Sequence, residues 1–234
     1  MSVRGFPENM WKAIVPAILM MLVVAAPARS ETMAPSGPPV SKDLKQVLDR
    51  LQRHYRDTRS FSAKFSEEIA TVGAPKRIRQ GTVSFRKPGR MRWEFQEPEK
   101  QTIVSDGETL YSYDPDLNQV VETPLKQALK SSSATSFLLG IGNINRDFKA
   151  AFATPATLTG LVDLILDAKT GGYKIEVGLD PKTYNLITLT LTDQLGDTTR
   201  IDFSDVHDNV ELPESIFAFK APAGADVVTA PATP

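Results

Sequence analysis

The 234-residue chain has no cysteine, which removes disulfide frameworks, thiolate metal sites and cysteine nucleophiles together. It also removes one export fate, because a bacterial lipoprotein carries its lipid on a cysteine that follows the signal. Histidine is scarce. His54 lies on the flank of a helical stretch and His207 in the polar run SDVHDN, neither in a metal or triad spacing, so both are expected in surface or structural roles. There is no phosphate-binding glycine loop, no G-x-S-x-G elbow and no zinc spacing, and the carboxylates fall in turns or on alternating wet faces. A binding protein without a cofactor is expected, not an enzyme. Net charge is also nearly absent: 27 basic against 28 acidic residues leaves −1, with no global pull toward nucleic acid.

Long apolar runs are missing too. The run AIVPAILMMLVVA is too short for a bilayer core that needs about 20 residues, and Pro16 interrupts it. Arg4 and Lys12 precede it, and Ala25, Ala26 and Ala28 follow in an A-P-A arrangement, the layout of a secretory signal. Residues 1–28 are therefore expected to be a signal peptide, cut after Ala28 or alternatively after Ala26. The short run disfavours the other option, an uncleaved anchor. Residues 29–40, rich in Pro, Ser and Ala, are a flexible lead-in. What remains is one domain, residues 41–222, followed by a loose tail, 223–234.

Within the domain, Leu44, Val47, Leu48, Leu51 and Tyr55 recur with helical period, and Asp43 and Gln46 stand as a capping box, so a helix is expected from about 43 to 57. Its stripe either completes the core or forms part of a lid. Phe61, Ala63 and Phe65 open a strand that ends at Gly73-Ala74-Pro75. Met91, Trp93 and Phe95 then alternate with Arg90, Arg92, Glu94 and Gln96, a strand with one apolar and one wet face. Asp106-Gly107 and Asp114-Pro115-Asp116 supply turns on either side of ETLYSY, so residues 81–122 read as an antiparallel meander. Between Lys76 and Arg92 stand Lys76, Arg77, Arg79, Arg86, Lys87, Arg90 and Arg92 with no acidic residue. A solvated face is expected there, the alternatives being an anionic lipid or acidic protein partner, or nucleic acid, which an exported chain rarely meets.

After Pro124 the segments LKQALK, SATSFLLGIG and NRDFKAAF read as short helices broken by small residues, pieces able to move or simply to cover a core. From Leu161 the runs LVDLILDA, YKIEVGL, NLITLTLTD and TTRIDFSDV are strands between turn signals at the spacing of an antiparallel fold. A turn at Pro213 to Ser215 and a last strand at about 216–220 close the domain.

The order of a K-P-G-R-M-R-W-x-F strand, a P-x-x-Q-x-I-V-S-D-G hairpin and L-Y-S-Y-D-P-D-L-N-Q-V resembles the periplasmic outer-membrane lipoprotein carrier (LolA) family. That resemblance implies a mainly β, α+β fold: an unclosed antiparallel β-barrel, or curved sheet, with a helical lid over an apolar cavity. The cavity residues are expected to be Met91, Trp93, Phe95, Ile103, Tyr111, Leu129, Phe137 and Leu138. The implied cargo is acylated lipoproteins, taken in the periplasm from an inner-membrane ABC-type release complex and passed to an outer-membrane receptor, by a monomer with no cofactor. Family members place an Arg before the Pro of the strand-opening turn to bond lid carbonyls; here Lys87 holds that position beside Arg86, and lysine lacks the planar fork. The rival expectation is a periplasmic lipid- or peptide-binding sensor on the same scaffold.

Overall fold

The computed structural model describes residues 43–130, 143–153, 160–169 and 174–230; the expectations for residues 1–28 and 29–40 and for Phe137 and Leu138 lie outside them, as does the side chain of Leu129. Helix α1 (Leu44–Asp57) begins where the Asp43 carboxylate accepts the Lys45 N–H at 2.9 Å, and its stripe buries Val47, Leu48 and Leu51. Next come β1 (Ser60–Ala70), β2 (Arg77–Arg86), β3 (Arg90–Glu97), β4 (Gln101–Asp106), β5 (Thr109–Asp114) and β6 (Gln119–Pro124). Gly107, at φ +107°, turns the β4–β5 hairpin, and the Asp106 carboxylate accepts the N–H groups of Glu108 and Thr109 at 2.8 Å. The positive φ is the reason glycine stands there.

Among the described residues two short helices, α2 (Leu125–Lys130) and α3 (Ile144–Asp147), precede β7 (Phe148–Phe152), β8 (Val162–Ala168), β9 (Lys174–Leu179), β10 (Leu186–Thr192) and β11 (Thr198–Asp208). A 3₁₀ turn at Glu214–Phe217 and β12 (Asp226–Thr229) complete the described chain. The strands form one sheet ordered β12-β6-β5-β4-β3-β2-β1-β11-β10-β9-β8-β7. It consists of two antiparallel meanders joined through β1 and β11, with β12 added in parallel to β6. The fold is α+β, a large antiparallel sheet with few helices. Among the described residues β12 and β7 are its two ends, and no helix is long and apolar enough to cross a membrane.

Three local expectations change. FKAAF is strand β7 and not a helix, with Phe148 buried and the segment paired along β8. Residues 216–220 form no strand: Phe217 is buried in a turn opened by Pro213. The supposed loose tail contains β12, because the outer edge of β6 offers unpaired backbone that Asp226–Thr229 take up.

The register defines the two faces. Ala63, Val83, Trp93, Ile103 and Ser112 lie in one row across β1–β5, and this inner face joins α1 and β8–β11 in one apolar cluster that includes Leu51, Leu164, Val177, Leu189 and Phe203. The outer face carries the alternate residues.

Candidate functional site

Aromatic side chains dominate the inner face. Trp93 meets Phe65 edge-on with centroids 4.7 Å apart, Phe85 at 6.0 Å, Phe203 at 6.4 Å and, stacked, Phe95 at 6.2 Å. Phe61 links Phe85 and Phe203 at 6.0 and 6.1 Å. These geometries are the offset and edge-to-face contacts that aromatic rings prefer. Met91, Trp93, Phe95 and Ile103 are all buried here, so the structure brings four of the named cavity residues together. Phe61, Phe65, Phe85 and Phe203 belong with them and were not singled out from the sequence. The signal was present in the alternation of Phe61, Ala63 and Phe65, but its join to Trp93 depends on register.

Tyr111 is a correction. It pairs with Val104, and Val104 with Arg92, so it lies on the outer face, away from Trp93. There its ring stacks on Phe219 at 5.2 Å, beside fully buried Val104, Val120 and Phe217. In TLYSYD either Leu110 or the two tyrosines could have been the inner set; the pairing of Ile103 with Ser112 decides for Leu110.

The basic run is a second correction, because it is not one solvated face. Arg79 is buried on the inner side in an ion pair with Glu67. Lys76 pairs with Glu68, Arg77 with Glu99, Arg86 and Arg90 both with Glu214, and Arg92 with Glu94, all within 4.0 Å. Arg86 Nη1 also donates to the Leu212 carbonyl and Arg92 Nη1 to that of Ile216, each at 3.0 Å. The outer arginines therefore hold the segment around residues 212–216.

Lys87 differs from its six neighbours. Its ammonium donates to the carbonyls of Tyr55 and, at 3.4 Å, Arg56, in the last turn of α1, and its backbone N–H donates to Arg59 O at 2.9 Å. Those carbonyls are the unpaired, partially negative end of a helix, where a cation is favoured. Partial burial holds the Lys87 ammonium below its ordinary pKa. Nearby, His54 Nε2 lies 3.6 Å from Asp208 Oδ2. Burial lowers the His54 pKa, against the pull of Asp208, and burial raises that of Asp208.

Between the end of α1 and the sheet lies a void of about 50 Å³ lined by Tyr55, Phe61, Phe85, Lys87, Leu186 and Phe203. Ligand cavities run to roughly 300–1,000 Å³, so at this end of α1 the inner face is filled by the helix. Among the described residues no group of three or more His, Asp or Glu side chains could hold a metal ion.

Three comparisons bear on this arrangement. The chain is 35% identical over 184 residues to an outer-membrane lipoprotein carrier protein of Dechloromonas aromatica, covering 78% of this chain and 87% of the relative. It is 33% identical over 190 residues to one of Cupriavidus pinatubonensis, covering 79% and 88%. Its fold resembles the crystal structure of an uncharacterized conserved protein from Thermus thermophilus, with a TM-score of 0.53 at 15% identity over 80% of this chain and 98% of that one. The profile described as outer membrane lipoprotein carrier protein LolA matches residues 56–220, a span that runs from the Lys87 contact with α1 through the aromatic inner face to Phe219, and the chain belongs to that family.

Proposed function

We propose that this protein is a periplasmic carrier, not an enzyme, that shields the acyl chains of lipoproteins on the inner face of an unclosed β-barrel. The carrying observation is that α1 lays Val47, Leu48 and Leu51 against the same apolar cluster that holds Trp93 and Phe65, while Lys87 donates to the carbonyls of its last turn. Here α1 fills the site as part of a lid, and acyl chains take its place when it withdraws. Exchange of one apolar occupant for another is cheap in itself. Left in water, a sixteen-carbon chain costs on the order of 12 kcal/mol, at about 0.8 kcal/mol per methylene, so cargo needs such a surface more than the helix does. Cargo would come from an inner-membrane ABC-type release complex, which spends the ATP, and pass to an outer-membrane receptor. Residues 1–28 serve as the export signal.

The test is displacement of an apolar fluorescent dye from the purified protein by a triacylated lipoprotein peptide and by the same peptide without its chains. Displacement by the acylated form alone is expected. Failure of both, or equal displacement by both, contradicts an acyl-chain site.

A further inference from the structure

The inner face is not apolar from end to end. Two residues along β1 from Phe65, and on the same side, Glu67 stands opposite Arg79 of β2, and both are 5% exposed. Arg79 Nε donates to Glu67 Oε2 at 2.7 Å, with Nη2 at 2.6 Å from the same oxygen. Its Nη1 donates to Gln101 Oε1 at 3.1 Å, and Gln101 Nε2 donates to Ser112 Oγ at 3.2 Å. The guanidinium carbon sits 4.0 Å from the centre of the Phe95 ring. A polar line thus crosses from β1 to β5 just beyond the Trp93 aromatics, and its Gln101 and Ser112 end is only half-buried. On the neighbouring strand Thr199, which pairs with Ile69 and faces the same side, is 3% exposed, and its hydroxyl has no hydrogen-bond partner among the described residues.

Such a line is poorly explained by stability. Apolar residues of similar volume usually replace a buried ion pair at no loss, and an orphaned hydroxyl costs free energy. Burial also pushes the Glu67 carboxyl up from its ordinary pKa, with Arg79 opposing. What the line offers is donors. A guanidinium carries more N–H groups than Glu67 and Gln101 consume, and the Thr199 hydroxyl is unspent. Glu67 cancels the charge of Arg79, so the site attracts acceptor-rich groups without attracting anions.

We propose that Glu67, Arg79, Gln101 and Thr199 form a head-group subsite that takes the ester and amide carbonyls of a neutral acylated ligand while its chains lie along the Trp93 aromatics. This rests on the carrier function proposed above and adds an orientation and a selectivity to it: carbonyl-bearing neutral heads are preferred over phosphate heads, whose charge would face Glu67.

Dye displacement by three lipids with equal chains tests it: a diacylglycerol, the dialkyl ether analogue that lacks the ester carbonyls, and a phosphatidate. The wild-type protein should take the diacylglycerol about tenfold more tightly than the ether, the ratio of one well-placed hydrogen bond, and more tightly than the phosphatidate. Glu67→Leu combined with Arg79→Met should keep dye binding and bring the ester and ether to equal affinity; Gln101→Leu, at the half-buried end, should reduce the ratio if the double variant fails to fold. An unchanged ester-to-ether ratio in a folded variant overturns the subsite while leaving the carrier function standing. Tightest binding of the phosphatidate overturns the neutral-head assignment. A wild-type protein that takes neither dye nor any lipid contradicts the carrier function, and the subsite with it.

Discussion

Each face of the first meander carries an apolar patch with a cover, and the two covers are fastened differently. On the outer face Val104 and Val120 are fully buried, the turn that carries buried Phe217 packs on β3 and β4, and Phe219 lies against Tyr111 and Tyr113. That cover is tied by Arg86, Arg90 and Arg92 through charged and carbonyl contacts and by the backbone pairing of β12 with β6. On the inner face α1 lies over the aromatics by side-chain packing, with Lys87 on its final carbonyls. Isolated side-chain ties add to this: Arg50 Nη2 donates to the Lys182 carbonyl at 2.7 Å, Gln52 Oε1 accepts the Ile144 N–H at 2.8 Å and His54 faces Asp208 at 3.6 Å, with no backbone ladder among the described residues. Planar guanidinium forks and a strand ladder fix a geometry; a flexible ammonium on two carbonyls is easily exchanged for water. On the carrier function proposed above, the outer cover, with its strand ladder and several arginines, is structural, and the inner one, with no ladder, is the one that releases.

The largest expected effect breaks the outer cover. Phe217→Ala should destabilise the protein by about 3–5 kcal/mol, the scale for deleting a buried phenylalanine, as measured by denaturant unfolding. Its affinity for acylated peptide should stay within a few-fold of wild type, and a loss of binding that exceeds the loss of folded protein would mean the two faces act together. Lys87→Leu probes the inner fastening. It should destabilise the closed form by about 1–2 kcal/mol, the lower part of the range for a charged hydrogen bond because the ammonium is half exposed. The variant should load acylated peptide at least as well as wild type and transfer it more slowly, since less strain is left to drive release. Arg86→Leu, whose side chain faces the other way, should leave both steps unchanged; a transfer defect confined to Arg86→Leu would move the fastening to the outer face.

A smaller effect comes from pH. Burial depresses the His54 pKa in the folded protein, so its contribution is present above the unfolded value, about 6.5, and is lost as pH falls through the lower folded value. The thermal midpoint of wild type should fall more steeply below about pH 6.5 than that of His54→Gln. Identical profiles would show that the Asp208 contact offsets the burial of His54.

The meander was legible in the sequence because its punctuation is local. Asp106-Gly107 and Asp114-Pro115 carry their turns within a few residues, and Met91, Trp93 and Phe95 declare one face by themselves. What was hidden depends on partners far along the chain. Tyr111 could be assigned a face only once Val104 was known to stand opposite it. Arg79 read as one charge in a basic run until register set it beside Glu67 and over Phe95. Strand β12 has only Val227 and Val228 as local signal, and it exists because β6 leaves an edge open. Family resemblance directed attention to Lys87 as a lid contact; which carbonyls its ammonium meets, those of Tyr55 and Arg56, depends on how α1 ends against the sheet.

If acyl chains take the place of α1 against the inner aromatics, Trp93 reports on the exchange directly. The chain contains two tryptophans, Trp11 and Trp93, so Trp11→Phe, or the form processed after residue 28, leaves Trp93 alone. Titration with a lipoprotein peptide whose acyl chains carry bromine at mid-chain, a short-range quencher of indole fluorescence, should quench Trp93 in saturable fashion, whereas the same peptide with unbrominated chains binds without quenching. Tight binding of the brominated peptide with Trp93 emission unchanged would place the chains elsewhere and contradict the account.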